Sequence, residues 1–156
     1  MKYFVLENNE KNIMPRVINW YQKINPRYLC VEKYDRLPQK VILDMKLGKG
    51  YVYTDIITNP FFMVSEEAWQ VIYMYDKDIP VISAILLDVD NRGQAIYYIP
   101  VLPKVKSLSK EDIRNLVVFK LEDAVGSKIF IRLDLAESLL QRDAVGICLK
   151  EAFVLE

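Results

Sequence analysis

The segment Phe61–Tyr75, FFMVSEEAWQVIYMY, decides how this chain is read. Four apolar residues lead to Ser65, whose hydroxyl can accept from the exposed amides of a first helical turn. Glu66 and Glu67 then sit at the positive end of the helix dipole. Ala68, Trp69, Val71, Ile72 and Tyr73 include the i, i+3, i+4 spacing of a buried stripe, and Asp78-Ile79-Pro80 stops it. The spacing predicts a helix from about Glu66 to Tyr75, entered directly from a strand. A second stretch, FIRLDLAESL at Phe130–Leu139, can be laid over FFMVSEEAWQ so that strand, cap and helix coincide. There Asp134 and Glu137 give Asp-x-x-Glu, a variant capping box, although the first copy has Ala68 where the box would place its acid. Leu135, Ala136, Leu139 and Leu140 share one helical face, and Gly146 closes the unit before the strand-like ICLKEAFVL. A strand-cap-helix-strand unit therefore occurs twice, a recurring supersecondary pattern with little identity between its copies.

Outward from these units the chain reads mostly as sheet. Tyr3–Leu6 is a short strand followed by a loop rich in Asn. Tyr28–Val31 and Val41–Met45 are two further strand candidates separated by the turn-like Asp35-Arg36-Leu37-Pro38. After the break at LGKG, YVYTDII is rich in residues that favour a pleated surface. VISAILLDV reads as a buried strand, DNRG as a turn with Gly93 at positive φ, and AIYYIPVL as the antiparallel return of a hairpin. Pro100 and Pro103 cannot donate to a ladder, so that strand is expected at an edge or ending there. Ser109 with Asp112 suggests one turn of helix, and LVVFKL a following strand. The expected class is α+β, a mostly antiparallel sheet with two main helices, in a single domain spanning 1–156.

With 156 residues the chain can bury roughly two thirds of its unfolded surface, and 52% hydrophobic and 12% aromatic content fits a packed core. Lysine plus arginine and aspartate plus glutamate both number 21, so no net field draws the molecule onto phosphate backbones or anionic lipid. No nucleic-acid partner and no membrane partner is expected. The N-terminus turns polar too early for a secretory signal, and no apolar run approaches the roughly 18–20 residues that cross a bilayer, so a cytoplasmic location is expected. Cys30 and Cys148 lie in apolar stretches and read as buried free thiols.

Histidine is absent, which removes the commonest general base and metal ligand together. The glycines of LGKGY lack the lysine and hydroxyl of a phosphate loop and read as a turn. Asp88, Asp90 and Asn91 miss the spacing of a calcium loop and read as a solvated hairpin turn. Glu66 and Glu67 are helical neighbours that do not face one another. Glu32, Asp44 and Asp55 lie in strand-like stretches and read as an exposed strand face. No catalytic, cofactor-binding or metal-binding residue is assigned, no cofactor is expected, and the chain reads as a non-enzyme. The aromatic residues Trp20, Tyr51, Tyr53, Trp69, Tyr97 and Tyr98 are more informative, because tyrosine and tryptophan are enriched in interface cores. Trp69 reads as core. Of Tyr97 and Tyr98, neighbours on a strand, one must point outward.

Met1–Tyr3, the Pro-Phe-Phe-x-Val-Ser of Pro60–Ser65 and the Ala-Glu-x-Leu-x6-Gly of Ala136–Gly146 give the chain a likeness to a known family. It resembles the immunity proteins of bacterial polymorphic toxin systems, in particular immunity family eleven. The resemblance implies an α+β domain that binds and neutralises a cognate toxin protein, and it carries over no contact residues. A non-enzymatic regulatory or scaffolding module that binds another cytoplasmic protein, or self-associates through an edge such as AIYYIPVL, is a second reading of the same residues, and an enzyme or small-molecule receptor using acids and tyrosines in a pocket is a third.

Overall fold

The computed structural model describes residues 1–124 and 126–155. In order, the chain forms β1 (Lys2–Asn8), β2 (Arg16–Ile18), β3 (Lys40–Lys46), β4 (Ile56–Ile57), β5 (Met63–Ser65), α1 (Glu66–Tyr75), β6 (Val81–Asp88) and β7 (Gln94–Pro100). It continues through β8 (Lys104–Val105), the single-turn α2 (Lys110–Ile113), β9 (Val118–Asp123), β10 (Gly126–Arg132), α3 (Leu133–Gln141) and β11 (Ile147–Val154). The class is α+β, with α1 and α3 as the two main helices and two sheets where one was expected. One sheet has the order β11-β1-β10-β9-β8 and the other β2-β3-β6-β7-β5-β4. Among the described pairings, β3–β6 and β8–β9 are parallel and the rest antiparallel.

The recurring unit has the same strand order and sense in both sheets. Hairpin β4–β5 feeds α1, and β6 lies parallel to β5 with β7 between them. Hairpin β9–β10 feeds α3, and β11 lies parallel to β10 with β1 between them. The second unit thus takes its middle strand from the opposite end of the chain. Met1 and Leu155 exchange main-chain hydrogen bonds of 2.6 and 2.7 Å at that join.

Packing follows from alternation along these strands. Leu6, Ile129 and Ile131 of the first sheet, Ile56 and Val64 of the second, and the inner faces of both helices form one core cluster. Tyr75 of α1 links the helices, donating to the Asp134 carbonyl at 3.0 Å with Ser138 Oγ at 2.5 Å. The other face of the six-stranded sheet, including Val17, Leu43, Leu86 and Tyr97, is covered by Ile24 and Leu29 of the long β2–β3 connection. Tyr3, Phe119 and Phe130 pack on the far side of the five-stranded sheet against Ile113 of α2.

Several local expectations are corrected. Tyr28–Val31 is not a strand: Pro26 opens a 3₁₀ turn at Pro26–Tyr28, and the Asn25 side chain accepts from the Arg27 amide at 3.0 Å. Of YVYTDII only Ile56–Ile57 is strand, and Tyr51 makes an isolated bridge to Ile13. In the β6–β7 turn the positive φ, 59°, belongs to Arg92 and not to Gly93. Strand β7 ends at Pro100 as expected, but it is interior, flanked by β6 and β5. Helix α1 spans the expected Glu66–Tyr75, with Ser65 Oγ accepting from the Ala68 amide at 3.1 Å. Helix α3 starts at Leu133, so Arg132 occupies the cap position and makes no side-chain cap bond. Asp134 is inside the first turn, where its carboxylate takes Arg132 Nε and Nη2 at 2.8 Å each and the Leu135 amide at 3.0 Å. In structure Ser65 therefore corresponds to Arg132, two residues from its sequence match. Leu140 and Tyr73 are exposed, and both cysteines are half-buried and unpaired.

Candidate functional site

The residues that stand out lie on the outer face of the six-stranded sheet. Pairing register sets Ile42 opposite Ile85, and Ile85 opposite Ile96, so three isoleucines form one row across β3, β6 and β7. Ile42 and Ile96 are each 51% exposed. The neighbouring row on this face runs Lys40, Ser83, Tyr98, Val64, Ile56. At its β4–β5 end it lies beneath the helices, with Val64 and Ile56 in the core, and at its β3 end it is open. Tyr98 stands at the boundary. Its ring stacks on Trp69 of α1 at 6.4 Å, and Trp69 meets Tyr73 one turn further along at 6.0 Å. Leu87, paired with Asp44 and Gln94, extends the apolar surface along β6.

A solvent-facing sheet surface normally alternates against its buried face with polar residues. Here isoleucine and leucine occupy those positions on adjacent strands, and half-buried aromatic rings border them. Such a surface gains by being covered: removing apolar area from water is worth about 25 cal/mol per Å². Aromatic and aliphatic side chains in a contiguous patch with charged residues at its margin, here Lys40 and Asp44, are the composition of a protein-binding site.

The singled-out aromatic residues do not all gather there. Trp69 and Tyr98 do, with Trp69 half-buried at the rim where the core was expected. Tyr97 points the other way, its hydroxyl donating to the Thr54 carbonyl at 2.7 Å. Burial, reinforced by the Asp55 carboxylate, pushes that phenol far above its ordinary range. Tyr51 and Tyr53 meet edge to face at 5.3 Å, and Trp20 packs edge-on to Phe61.

Among the acids, Asp55 departs from the exposed strand face expected of it. Its carboxylate accepts from Ser65 Oγ and from the Val145 amide, both at 2.5 Å, and so joins the strand before α1 to the turn after α3. Glu32 is exposed in a turn, and Asp44 accepts from Asn19 Nδ2 at 3.2 Å. Asp88 is buried in the hairpin turn, accepting from the Asp90 amide at 3.0 Å. Asp44, Asp55 and Asp88 thus fasten neighbouring segments of the fold. Among the described residues no three Cys, Asp or Glu side chains come together as a metal-binding group. No helix among them is long and apolar enough to cross a membrane.

Sequence reasoning missed Ile42, Ile85, Leu87 and Ile96. VISAILLDV is apolar at nearly every position, so it reads as a strand buried on both sides, and only the register exposes one side. No family model and no curated protein matches the chain.

Proposed function

We propose that this chain is an immunity protein, which binds a cognate bacterial toxin in the cytoplasm and neutralises it by occupying its surface rather than by catalysis. The observation that carries the binding role is the open row Ile42–Ile85–Ile96 continued by Tyr98, Trp69 and Tyr73. The likeness of Met1–Tyr3, Pro60–Ser65 and Ala136–Gly146 to immunity family eleven supplies the identity of the partner. A blocking protein needs shape and charge complementarity and no reacting group.

For the alternative, a regulatory or scaffolding module binding another cytoplasmic protein, AIYYIPVL is not a free edge, because β7 is paired on both sides. The same open face would have to serve it. The test is co-expression with the toxin encoded beside the gene, comparing the parent with Ile96→Asp. A charge at that half-exposed site leaves the core untouched, so the thermal midpoint should hold while co-purification and cell survival are lost. Rescue that survives Ile96→Asp places the contact elsewhere, and absence of any rescue by the parent overturns the immunity reading.

A further inference from the structure

A cleft of about 270 Å³ opens between the two sheets, at the Ile99–Pro100 end of β7 and away from Ile42, Ile85 and Ile96. Its apolar walls are Leu29, Phe61, Phe62, Ile99, Leu102 and Ile129. At roughly 30 Å³ of liquid per water, the volume holds a ligand somewhat smaller than a drug-sized one.

The polar end is made by β9. Lys120 pairs with Ile129 and Glu122 with Ser127, and alternation turns all four side chains toward the cleft. Lys120 Nζ donates to the Leu29 carbonyl at 2.9 Å, and among the described residues its other two N–H groups have no hydrogen-bond acceptor. Burial draws its pKa down, more than Glu122 can restore. The Glu122 carboxylate is engaged by Lys104 Nζ at 2.6 Å. Glu7, Lys120, Glu122 and Lys128 line the cleft; the two acids are each engaged by a lysine from outside it, Glu122 by Lys104 and Glu7 by Lys150 at 3.0 Å, and of the two lining lysines Lys120 is the half-buried one.

We propose that this cleft binds a small monocarboxylate with an apolar body, its carboxylate on Lys120 Nζ and its body against Phe61, Ile99 and Leu102. With both lining acids held by other lysines, Lys120 Nζ is the half-buried donor that a single carboxylate can reach, and the apolar walls give the body a dry lining. The cleft is separate from the proposed toxin-binding face, so either assignment can fail without the other.

Phenylacetate is a suitable probe, titrated into the ¹⁵N-labelled full chain, with phenylacetamide as the neutral isostere and phenethylamine as the cation. Phenylacetate is expected to shift the amides of the lining residues with a dissociation constant on the order of 1 mM, as for a ligand of its size. Phenylacetamide should bind at least about tenfold more weakly, the difference a charge-assisted hydrogen bond makes. Lys120→Met should abolish that preference, and Ser127→Phe, which leaves Lys120 in place and fills the cleft from an exposed position, should abolish binding of both. Equal binding of acid and amide, shifts insensitive to Ser127→Phe, or no shift of the lining residues at ten times the expected dissociation constant would each overturn the proposal.

Discussion

Replacing Gly146 with alanine probes the closest approach between the two units. Gly146 has φ +79°, and a Cβ built there would lie 2.3 Å from Thr54 Cγ2 and 2.6 Å from Thr54 Cβ. The left-handed conformation alone costs a side chain about 1–2 kcal/mol. Forcing a methyl group into packed surroundings adds about 1–3 kcal/mol. Thr54 cannot easily yield, because it is 1% exposed, its hydroxyl donates to the Ile56 carbonyl at 2.7 Å and its own carbonyl receives the Tyr97 hydroxyl. Gly146→Ala should therefore lose roughly 2–5 kcal/mol, a large part of the stability of an ordinary domain. The two contributions separate in a double-mutant cycle with Thr54→Ser, which keeps the hydroxyl and deletes Cγ2. On that background the cost of Gly146→Ala should fall by about 1 kcal/mol or more but not below the conformational part. Urea unfolding followed by circular dichroism measures all four corners. A Gly146→Ala variant as stable as its parent, or a cost identical on both backgrounds, would refute the reasoning.

Tyr97→Phe should cost about 1–3 kcal/mol by leaving the Thr54 carbonyl without its donor in a buried setting, and an unchanged urea midpoint would mean that water replaces the hydroxyl. The Arg132 guanidinium holds the Asp134 carboxyl below the usual carboxylate range, so its contribution is present above the ordinary aspartate value near pH ~4 and lost as pH falls through the lower folded value. The stability gap between parent and Asp134→Asn, under about 1 kcal/mol for so exposed a pair, should close on acidification below pH ~4, and a gap independent of pH would contradict this.

Where local chemistry decides, the sequence was sufficient. Ser65 and its two glutamates marked the start of α1 because a cap is a bond between residues three apart. The hairpin β6–β7 was legible because its strands are adjacent. Asp134 misled because a carboxylate near a helix start looks like a cap whether or not a neighbouring arginine captures it, and Arg132 does. Tyr28–Val31 has the composition of a strand, yet Pro26 and Asn25 settle it as a turn, and no partner strand is supplied. The division into two sheets rests on β1 pairing with residues more than 120 positions away, which no local pattern encodes. The open face was hidden for the same reason: whether an isoleucine faces solvent or core depends on which strand lies beside it and what covers that strand.

That distant pairing of β1 has a consequence for how the chain is made. KYFVLEN leaves the ribosome before β2 to β9, and both of its partners, β10 and β11, follow after them. The six-stranded sheet can assemble as soon as β7 emerges, but the five-stranded sheet cannot, so until β10 and β11 follow, an apolar strand waits with two unpaired edges. Completion of this half therefore waits for β11, which leaves the partly synthesised chain more exposed to aggregation than the folded one.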